Sequence, residues 1–193
     1  MKFYESEAPP MFPGTMATML MKTSMHGPLY SDTALDLWLL YEFAGRVQHI
    51  TEFGVRAGVS TSAFMAAQPD FLRSYDIEPC PNYNTLRMAA DRTDWKFVLQ
   101  SSLEADIEPT DLLFIDSLHT YAQLRAELEQ HHEKVSTYIM LHDTISCGTK
   151  DEFGNEPGLL AAYRDFVEAN PQWQLYLASM AQNGLTILKR RGA

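Results

Sequence analysis

The feature that most constrains the fold is the segment 49–62, which reads HITEFGVRAGVSTS. It predicts a short apolar strand, a glycine turn between Gly54 and Gly58, and the start of a helix. Such a unit presents unpaired backbone N–H groups to a ligand, and its glycines let the chain bend and the ligand come close. The glycine spacing differs from the G-x-G-x-x-G of dinucleotide-binding turns.

An acid, Glu52, lies just before this turn, and the hydroxyls of Ser60 and Thr61 follow it. A carboxylate there disfavours a pyrophosphate and suits a ligand that carries an amine, such as S-adenosylmethionine. The segment resembles the first motif of the class I methyltransferases, which has this acid-then-glycine form. The resemblance implies a cofactor site at Glu52, Gly54, Gly58, Ser60 and Thr61, with Glu52 and the glycine loop at the methionine end. The alternative is an ordinary glycine turn of an α/β protein.

Length and charge narrow the class of protein. The 193 residues have the size of one α/β domain, and the net charge of −10 argues against a nucleic-acid partner. Because no apolar run approaches the roughly 20 residues that span a bilayer, we expect no membrane partner. The first ten residues are acidic and broken by prolines, unlike a signal peptide. Cys80 and Cys147 lack metal-type spacing and predict free thiols in a cytoplasmic protein.

Apolar strands alternate with helices along residues 31–193, which we interpret as a single domain. The predicted strands cover 48–53, 71–76, 95–99, 111–115, 138–141, 173–177 and 185–188. The predicted helices cover 32–45, 59–67, 84–92, 121–134 and 159–169. The last two strands are joined without a helix and should be antiparallel. The resemblance implies an α/β, Rossmann-like, seven-stranded, mostly parallel sheet with an antiparallel last strand and helices on both faces.

Residues 1–30 differ from the rest of the chain, because six of the ten methionines lie there. Methionine fills irregular gaps and adapts to the shape of a partner. Two interpretations stay open. The segment is either an irregular stretch packed on the core or a lid over the substrate.

Polar residues follow the predicted strands at the sheet edge where open α/β sheets bind ligands. Asp76 ends the second strand, 18 residues after Gly58, where a carboxylate can accept both ribose hydroxyls. Glu78 is the fallback for this role, and a turn or helix-capping acid is the structural alternative. After the third strand, the resemblance implies that Ser101 or Ser102 lines the adenine, and the sequence leaves that choice open.

A second motif places two acids and two histidines at neighbouring strand ends. Asp116 ends the fourth strand and His119 follows three residues later, while His142 and Asp143 end the fifth strand. The pattern resembles the subfamily of cephalosporin-hydroxylase-like and macrolide-sugar O-methyltransferase proteins, which carry an Asp-x-x-His motif and an acid–Asp-Thr motif. The resemblance implies a divalent cation, magnesium or manganese, on Asp116 and Asp143, with His119 as base. His142 replaces an acid of the subfamily, and as a third ligand it would shift the preference toward transition metals.

We therefore predict an S-adenosylmethionine-dependent O-methyltransferase that acts on a small hydroxylated acceptor such as a sugar. Because a hydroxyl is weakly acidic, a base must take its proton or a metal must lower its pKa. His119 is the candidate base, and Asp116 is expected to orient it, hold the cation or contact the cofactor. The alternatives are an NAD(P)-dependent Rossmann oxidoreductase and an inactive cofactor-binding module. Assembly into a homo-oligomer stays open.

Overall fold

A computed structural model shows a seven-stranded mixed sheet with helices packed on both faces. The structure describes Thr18, Thr33 and residues 36–193. The predicted N-terminal segment, residues 1–30, lies outside the described residues apart from Thr18. Its role as a lid therefore stays a prediction.

The elements are numbered in chain order. The strands are β1 (His49–Phe53), β2 (Phe71–Asp76), β3 (Asp94–Leu99), β4 (Thr110–Ile115), β5 (Val135–His142), β6 (Trp173–Ser179) and β7 (Leu185–Arg190). The helices are α1 (Leu37–Ala44), α2 (Val59–Ala67), α3 (Tyr83–Ala89), α4 (Tyr121–His131) and α5 (Leu159–Ala169). A 3-10 turn over His132–Lys134 joins α4 to β5. Among the described residues, no helix combines the length and apolarity that crossing a membrane requires.

The strand order is β3-β2-β1-β4-β5-β7-β6. Strands β1 to β5 pair in parallel, whereas β7 is antiparallel to both β5 and β6. This topology confirms the predicted fold. The chain builds outward from β1 to β3 on one side and returns to β4 on the other side. The carboxyl ends of β1 and β4 therefore flank the point where the strand order reverses, which is where sheets of this kind bind ligands.

Alternating side chains place an apolar core on each face of the sheet. Ile50, Leu112 and Met140 belong to one core, which includes residues of α1, α2 and α3. Leu113 and Ile139 belong to the other, which includes residues of α4 and α5. Burial on both faces explains the nearly continuous apolar run of β4. The predicted bounds of α2, β2 and α5 match the observed ones.

The predicted helix over 32–45 begins at Leu37 among the described residues, and the one over 84–92 ends at Ala89. Further differences from the predicted bounds lie around β5. The predicted helix over 121–134 ends at His131 and continues as the 3-10 turn, and β5 begins at Val135, which is buried. Its second residue, Ser136, is exposed, so the start of the strand lacks an apolar pattern. The longer strand ends at His142, and Asp143 turns away from it with a φ of +57°.

Candidate functional site

The turn after β1 is held against the end of β4. Gly54 has a φ of +85°, and a Cβ at this position would lie 1.9 Å from the backbone oxygen of Asp116. The Asp116 N–H donates to the Phe53 carbonyl at 2.8 Å. Gly58, with a φ of +80°, is the N-cap residue that precedes α2. Glycine at position 54 therefore lets the turn lie directly beside Asp116.

Glu52 lies beneath this turn and is fully buried. Its carboxylate accepts hydrogen bonds from the hydroxyls of Ser60 at 2.6 Å, Thr61 at 2.9 Å and Ser74 at 2.6 Å. Burial raises the pKa of Glu52 to about 7, although the three hydroxyls oppose the shift. The carboxylate thus ties the start of α2 to β1 and β2. Contacts of Glu52, Ser60 and Thr61 with the cofactor stay predictions.

The buried carboxyl of Glu52 predicts a pH-dependent stability. Because its pKa rises from 4.5 to about 7 on folding, the stabilisation is fully present below pH 4.5 and is lost as the pH rises to about 7. We expect Glu52→Gln to remove this decline, which amounts to about 3 kcal/mol in the free energy of unfolding. Urea unfolding of the wild type and of Glu52→Gln at pH 4.5 and pH 8 measures this decline.

The matched control is Glu78→Gln, since Glu78 is an exposed acid. Its free energy of unfolding should follow the wild type at both pH values. Other groups that titrate in this range, including the histidines near Asp116, cancel in the difference between wild type and variant. The prediction would be contradicted if the free energy of unfolding of Glu52→Gln declined between pH 4.5 and pH 8 as much as that of the wild type.

Asp76 at the end of β2 holds the glycine turn from the other side. One carboxylate oxygen accepts the N–H groups of Val55 at 2.7 Å and Arg56 at 2.9 Å. The other oxygen accepts the N–H of Glu78 at 2.9 Å. These contacts are those of a turn acid, which is the structural alternative to a ribose contact. They also place the Asp76 carboxylate beside the glycine turn, and contact with a ribose stays a prediction.

The two serines after β3 have different surroundings. Ser101 is partly exposed, and its hydroxyl accepts the N–H of Leu103 at 3.3 Å. Ser102 is buried, and its hydroxyl donates to Glu127 of α4. Ser117 also donates to Glu127, at 2.6 Å. Sequence reasoning missed this buried acid, although its position three residues after Leu124 places it on the core side of α4. The adenine role of either serine stays a prediction.

The structure brings the two acids and two histidines of the second motif together. Oδ1 of Asp116 lies 3.1 Å from Nε2 of His119 and 3.1 Å from Nδ1 of His142. Oδ2 of Asp143 lies 3.1 Å from Nε2 of His119 and 3.2 Å from Nδ1 of His142. We call these four residues the His–Asp cluster. It lies at the carboxyl ends of β4 and β5, beside the turn at Gly54.

The His–Asp cluster contains closely coupled charges. Burial alone would lower the pKa of His142, but Asp116 and Asp143 raise it to about 10. Burial would likewise lower the pKa of His119, but Asp116, Asp143 and Glu152 outweigh it and raise the pKa. In return, the pKa values of Asp116 and Asp143 fall below their ordinary range despite burial, because both face the two imidazoles. The carboxylates therefore stay ionised at neutral pH.

A residue that sequence reasoning missed completes this site. Glu152, in the connection between β5 and α5, has a carboxylate oxygen 3.1 Å from Nδ1 of His119. The backbone N–H of Glu152 donates to the His119 carbonyl at 3.2 Å. The two residues are 33 positions apart in an irregular segment, so no periodic pattern could have paired them. Both ring nitrogens of His119 thus have carboxylate neighbours.

A comparison with known families found a match over part of the chain. Residues 51–144 match the model of a family described as a methyltransferase domain. This range contains all the predicted site residues, from Glu52 to Asp143. No match was found among curated protein sequences.

Solved structures share the fold at low sequence identity. Cofactor-bound Rv0187 from MTB is 18% identical, with 94% of this chain and 91% of that chain covered and a TM-score of 0.68. The O-methyltransferase TomG from Streptomyces achromogenes, in complex with SAM, is 14% identical, with 92% and 90% covered and a TM-score of 0.67. The 1,6-didemethyltoxoflavin-N1-methyltransferase from Burkholderia thailandensis is 14% identical, with 98% of each chain covered and a TM-score of 0.63.

Proposed function

We propose that this chain, which has the class I methyltransferase fold and a methyltransferase domain over residues 51–144, methylates a hydroxyl group of a small acceptor such as a sugar. S-adenosylmethionine is the methyl donor. The observation that supports the proposal is the contact between the glycine turn and the His–Asp cluster. The turn at Gly54, which would hold the methionine end, packs on the backbone of Asp116, whose side chain belongs to the His–Asp cluster.

Methyl transfer requires the protein to position the acceptor and to manage its proton, because the sulfonium is already an activated electrophile. The backbone of the glycine turn and Asp76 are suited to hold the cofactor at the reversal point of the sheet. Ser101 and Ser102 follow the end of β3, and the resemblance implies that one of them lines the adenine. The acceptor then meets the donor methyl beside the His–Asp cluster.

The cluster offers two ways to manage the acceptor proton. His119 is the base that the sequence predicts, and it must open one of its carboxylate contacts before a ring nitrogen can take a proton. Asp116, His142 and Asp143 also offer ligand atoms within 4.8 Å of one another, a set that fits a divalent cation. Such an ion would lower the pKa of an acceptor hydroxyl that binds to it.

Two measurements test the proposed function. Isothermal titration should detect binding of S-adenosylhomocysteine, and release of this product should follow incubation of S-adenosylmethionine with the correct acceptor. The acceptor panel contains sugars, nucleotide sugars and small phenols, with amines added because several similar solved structures are N-methyltransferases. Absence of binding would overturn the proposal. Binding without turnover on any acceptor would favour the inactive module, and a change in NADH fluorescence would favour the oxidoreductase.

Asp76 provides a test of the cofactor geometry. We expect Asp76→Ala to weaken S-adenosylhomocysteine binding about 10- to 150-fold, the equivalent of about 1.5–3 kcal/mol for charge-assisted hydrogen bonds. The reason is the loss of the ribose contacts together with the hydrogen bonds that hold the turn at Val55 and Arg56. Isothermal titration of wild type and variant gives the ratio of dissociation constants.

Glu78→Ala is the control for Asp76→Ala, because Glu78 is exposed two residues further on and is the fallback ribose acid. Its affinity should stay within a factor of about 2 of the wild type, close to the small effect of a surface substitution. A larger loss at Glu78 than at Asp76 would move the ribose role to Glu78.

A further inference from the structure

We propose that Glu127 is a positioning residue that couples the loop after β3 (residues 100–105, the β3 loop) to the loop after β4 (residues 116–120, the β4 loop). The resemblance to the methyltransferases assigns the adenine to the β3 loop, whereas the β4 loop carries Asp116 and His119. Through Glu127, the adenine end of the cofactor fixes the loop that carries the candidate base. This inference rests on the proposed function, because it requires a cofactor at the β3 loop.

The two loops begin far apart in the sheet. Strands β3 and β4 are separated by β2 and β1, so at the usual strand spacing their ends lie about 14 Å apart. Both loops nevertheless reach one carboxylate oxygen. Oε1 of Glu127 accepts the hydroxyl of Ser102 from the β3 loop and, at 2.6 Å, the hydroxyl of Ser117 from the β4 loop. A single side chain of α4 therefore links two loops that the sheet keeps apart.

Helix α4 holds the β3 loop by further contacts at Ser102. Nε2 of Gln123 donates to the Glu127 carboxylate at 2.9 Å and to the Ser102 hydroxyl at 3.1 Å. Nε2 of His131 lies 2.8 Å from the Ser102 carbonyl oxygen, and it donates there because a carbonyl can only accept. Ser102 is thus bound to α4 through both its hydroxyl and its carbonyl. A displacement of the β3 loop must therefore change the contacts of α4.

The carboxyl of Glu127 is costly to bury. The side chain is fully buried, and burial raises the pKa of Glu127, although its three hydrogen-bond donors oppose the shift. Its second oxygen, Oε2, is buried without a hydrogen-bond partner among the described residues. A buried polar atom without a partner opposes folding, and an apolar side chain would avoid this cost. The link between the two loops is the property that an apolar side chain would lack.

A second path between the cofactor and the β4 loop leads through the glycine turn. The two paths meet the β4 loop at different atoms. A Cβ at Gly54 would approach only the backbone of Asp116 and Ser117, whereas the Ser117 hydroxyl donates to Glu127. Removal of this hydroxyl therefore interrupts the path through Glu127 and leaves the turn in place.

The first test measures the affinity for S-adenosylhomocysteine by isothermal titration. Ser117→Ala should weaken binding at least about 5-fold, the lower end of usual coupling between sites, although Ser117 is not a predicted cofactor contact. Ser102→Ala should weaken it about 10- to 150-fold, as expected for a hydrogen bond to a charged group. The double variant should lose little more than Ser102→Ala alone, because both hydroxyls act through one carboxylate. Losses that multiply would overturn this inference, and so would an unchanged affinity in Ser117→Ala.

The second test follows the imidazole of His119 by NMR, with isotope-labelled histidine at a fixed pH. The probe is adenosine, which carries the adenine and ribose but neither the sulfur nor the transferred methyl. Adenosine should shift the His119 signal in the wild type and shift it much less in Ser117→Ala and Glu127→Leu. Circular dichroism shows whether Glu127→Leu is folded, and Ser117→Ala decides the question if it is not.

Ser136→Ala is the matched control. The hydroxyl of Ser136 also donates to a carboxylate, that of Asp111 at 2.8 Å, but it lies near the start of β5, at the opposite edge of the sheet. This variant should match the wild type in both tests. Bound adenosine that leaves the wild-type His119 signal unchanged, or shifts it equally in Ser117→Ala, would overturn this inference and leave the proposed function intact. Wild-type protein that binds neither S-adenosylhomocysteine nor adenosine would overturn the proposed function and this inference together.

Discussion

Gly54→Ala is expected to destabilise the folded chain by about 2–5 kcal/mol and to abolish measurable S-adenosylhomocysteine binding. The left-handed backbone at Gly54 costs a residue with a Cβ about 1–2 kcal/mol. The new methyl would also lie 1.9 Å from the Asp116 carbonyl oxygen, so the turn or the end of β4 must move. Displacing packed backbone adds about 1–3 kcal/mol and breaks the cofactor geometry. Urea unfolding and isothermal titration measure the two effects.

The variant Gly154→Ala is the control that separates the free-energy cost of the left-handed backbone from the cost of the steric clash. Gly154 has a φ of +83°, and a Cβ there would meet nothing within 4 Å. Gly154→Ala should therefore cost only about 1–2 kcal/mol and leave the cofactor affinity unchanged. Gly58→Ala should fall between the two, because its Cβ would meet the movable side chain of Leu86. Equal losses of stability in Gly54→Ala and Gly154→Ala would show that the close approach of Gly54 to Asp116 has no effect on stability.

The sequence predicts the layered sheet well because its signals are local. Strand β4 is an apolar run, α2 begins directly after the glycine turn, and Pro157 and Gly158 precede α5. The start of β5 is harder to predict, since Ser136 and Thr137 interrupt the apolar pattern there. The strand order depends on pairings between distant segments, and it follows only from the resemblance to the methyltransferases.

The candidate site, like the fold, can be predicted from the sequence only where the signals are local. Strand ends are predictable, so the sequence alone places Asp116 and His142 at one edge of the sheet. The partners of the side chains are not predictable in this way. Glu52 accepts hydroxyls from α2 and β2, and Glu152 reaches His119 from an irregular connection. Such contacts depend on tertiary packing, which leaves no periodic trace in the sequence.

His119→Ala is expected to lower the rate of methyl transfer about 10²–10⁴-fold and to leave S-adenosylhomocysteine binding nearly unchanged. The rate falls because His119 lies at the His–Asp cluster, where the acceptor proton must be removed. The affinity holds because the predicted cofactor contacts lie mainly at the ends of β1, β2 and β3. Product release with a saturating acceptor gives the rate, and isothermal titration gives the affinity.

The pH dependence of the rate tests whether His119 is the base. A base must be neutral, and carboxylate neighbours raise the pKa of His119 above 6.5, so the wild-type rate should rise with pH above 6.5 if His119 takes the proton. His119→Ala should then lose this rise of the rate with pH. A His119→Ala variant that turns over at the wild-type rate would exclude this role. The proton would then pass to another group of the cluster, of which His142 is the nearest imidazole.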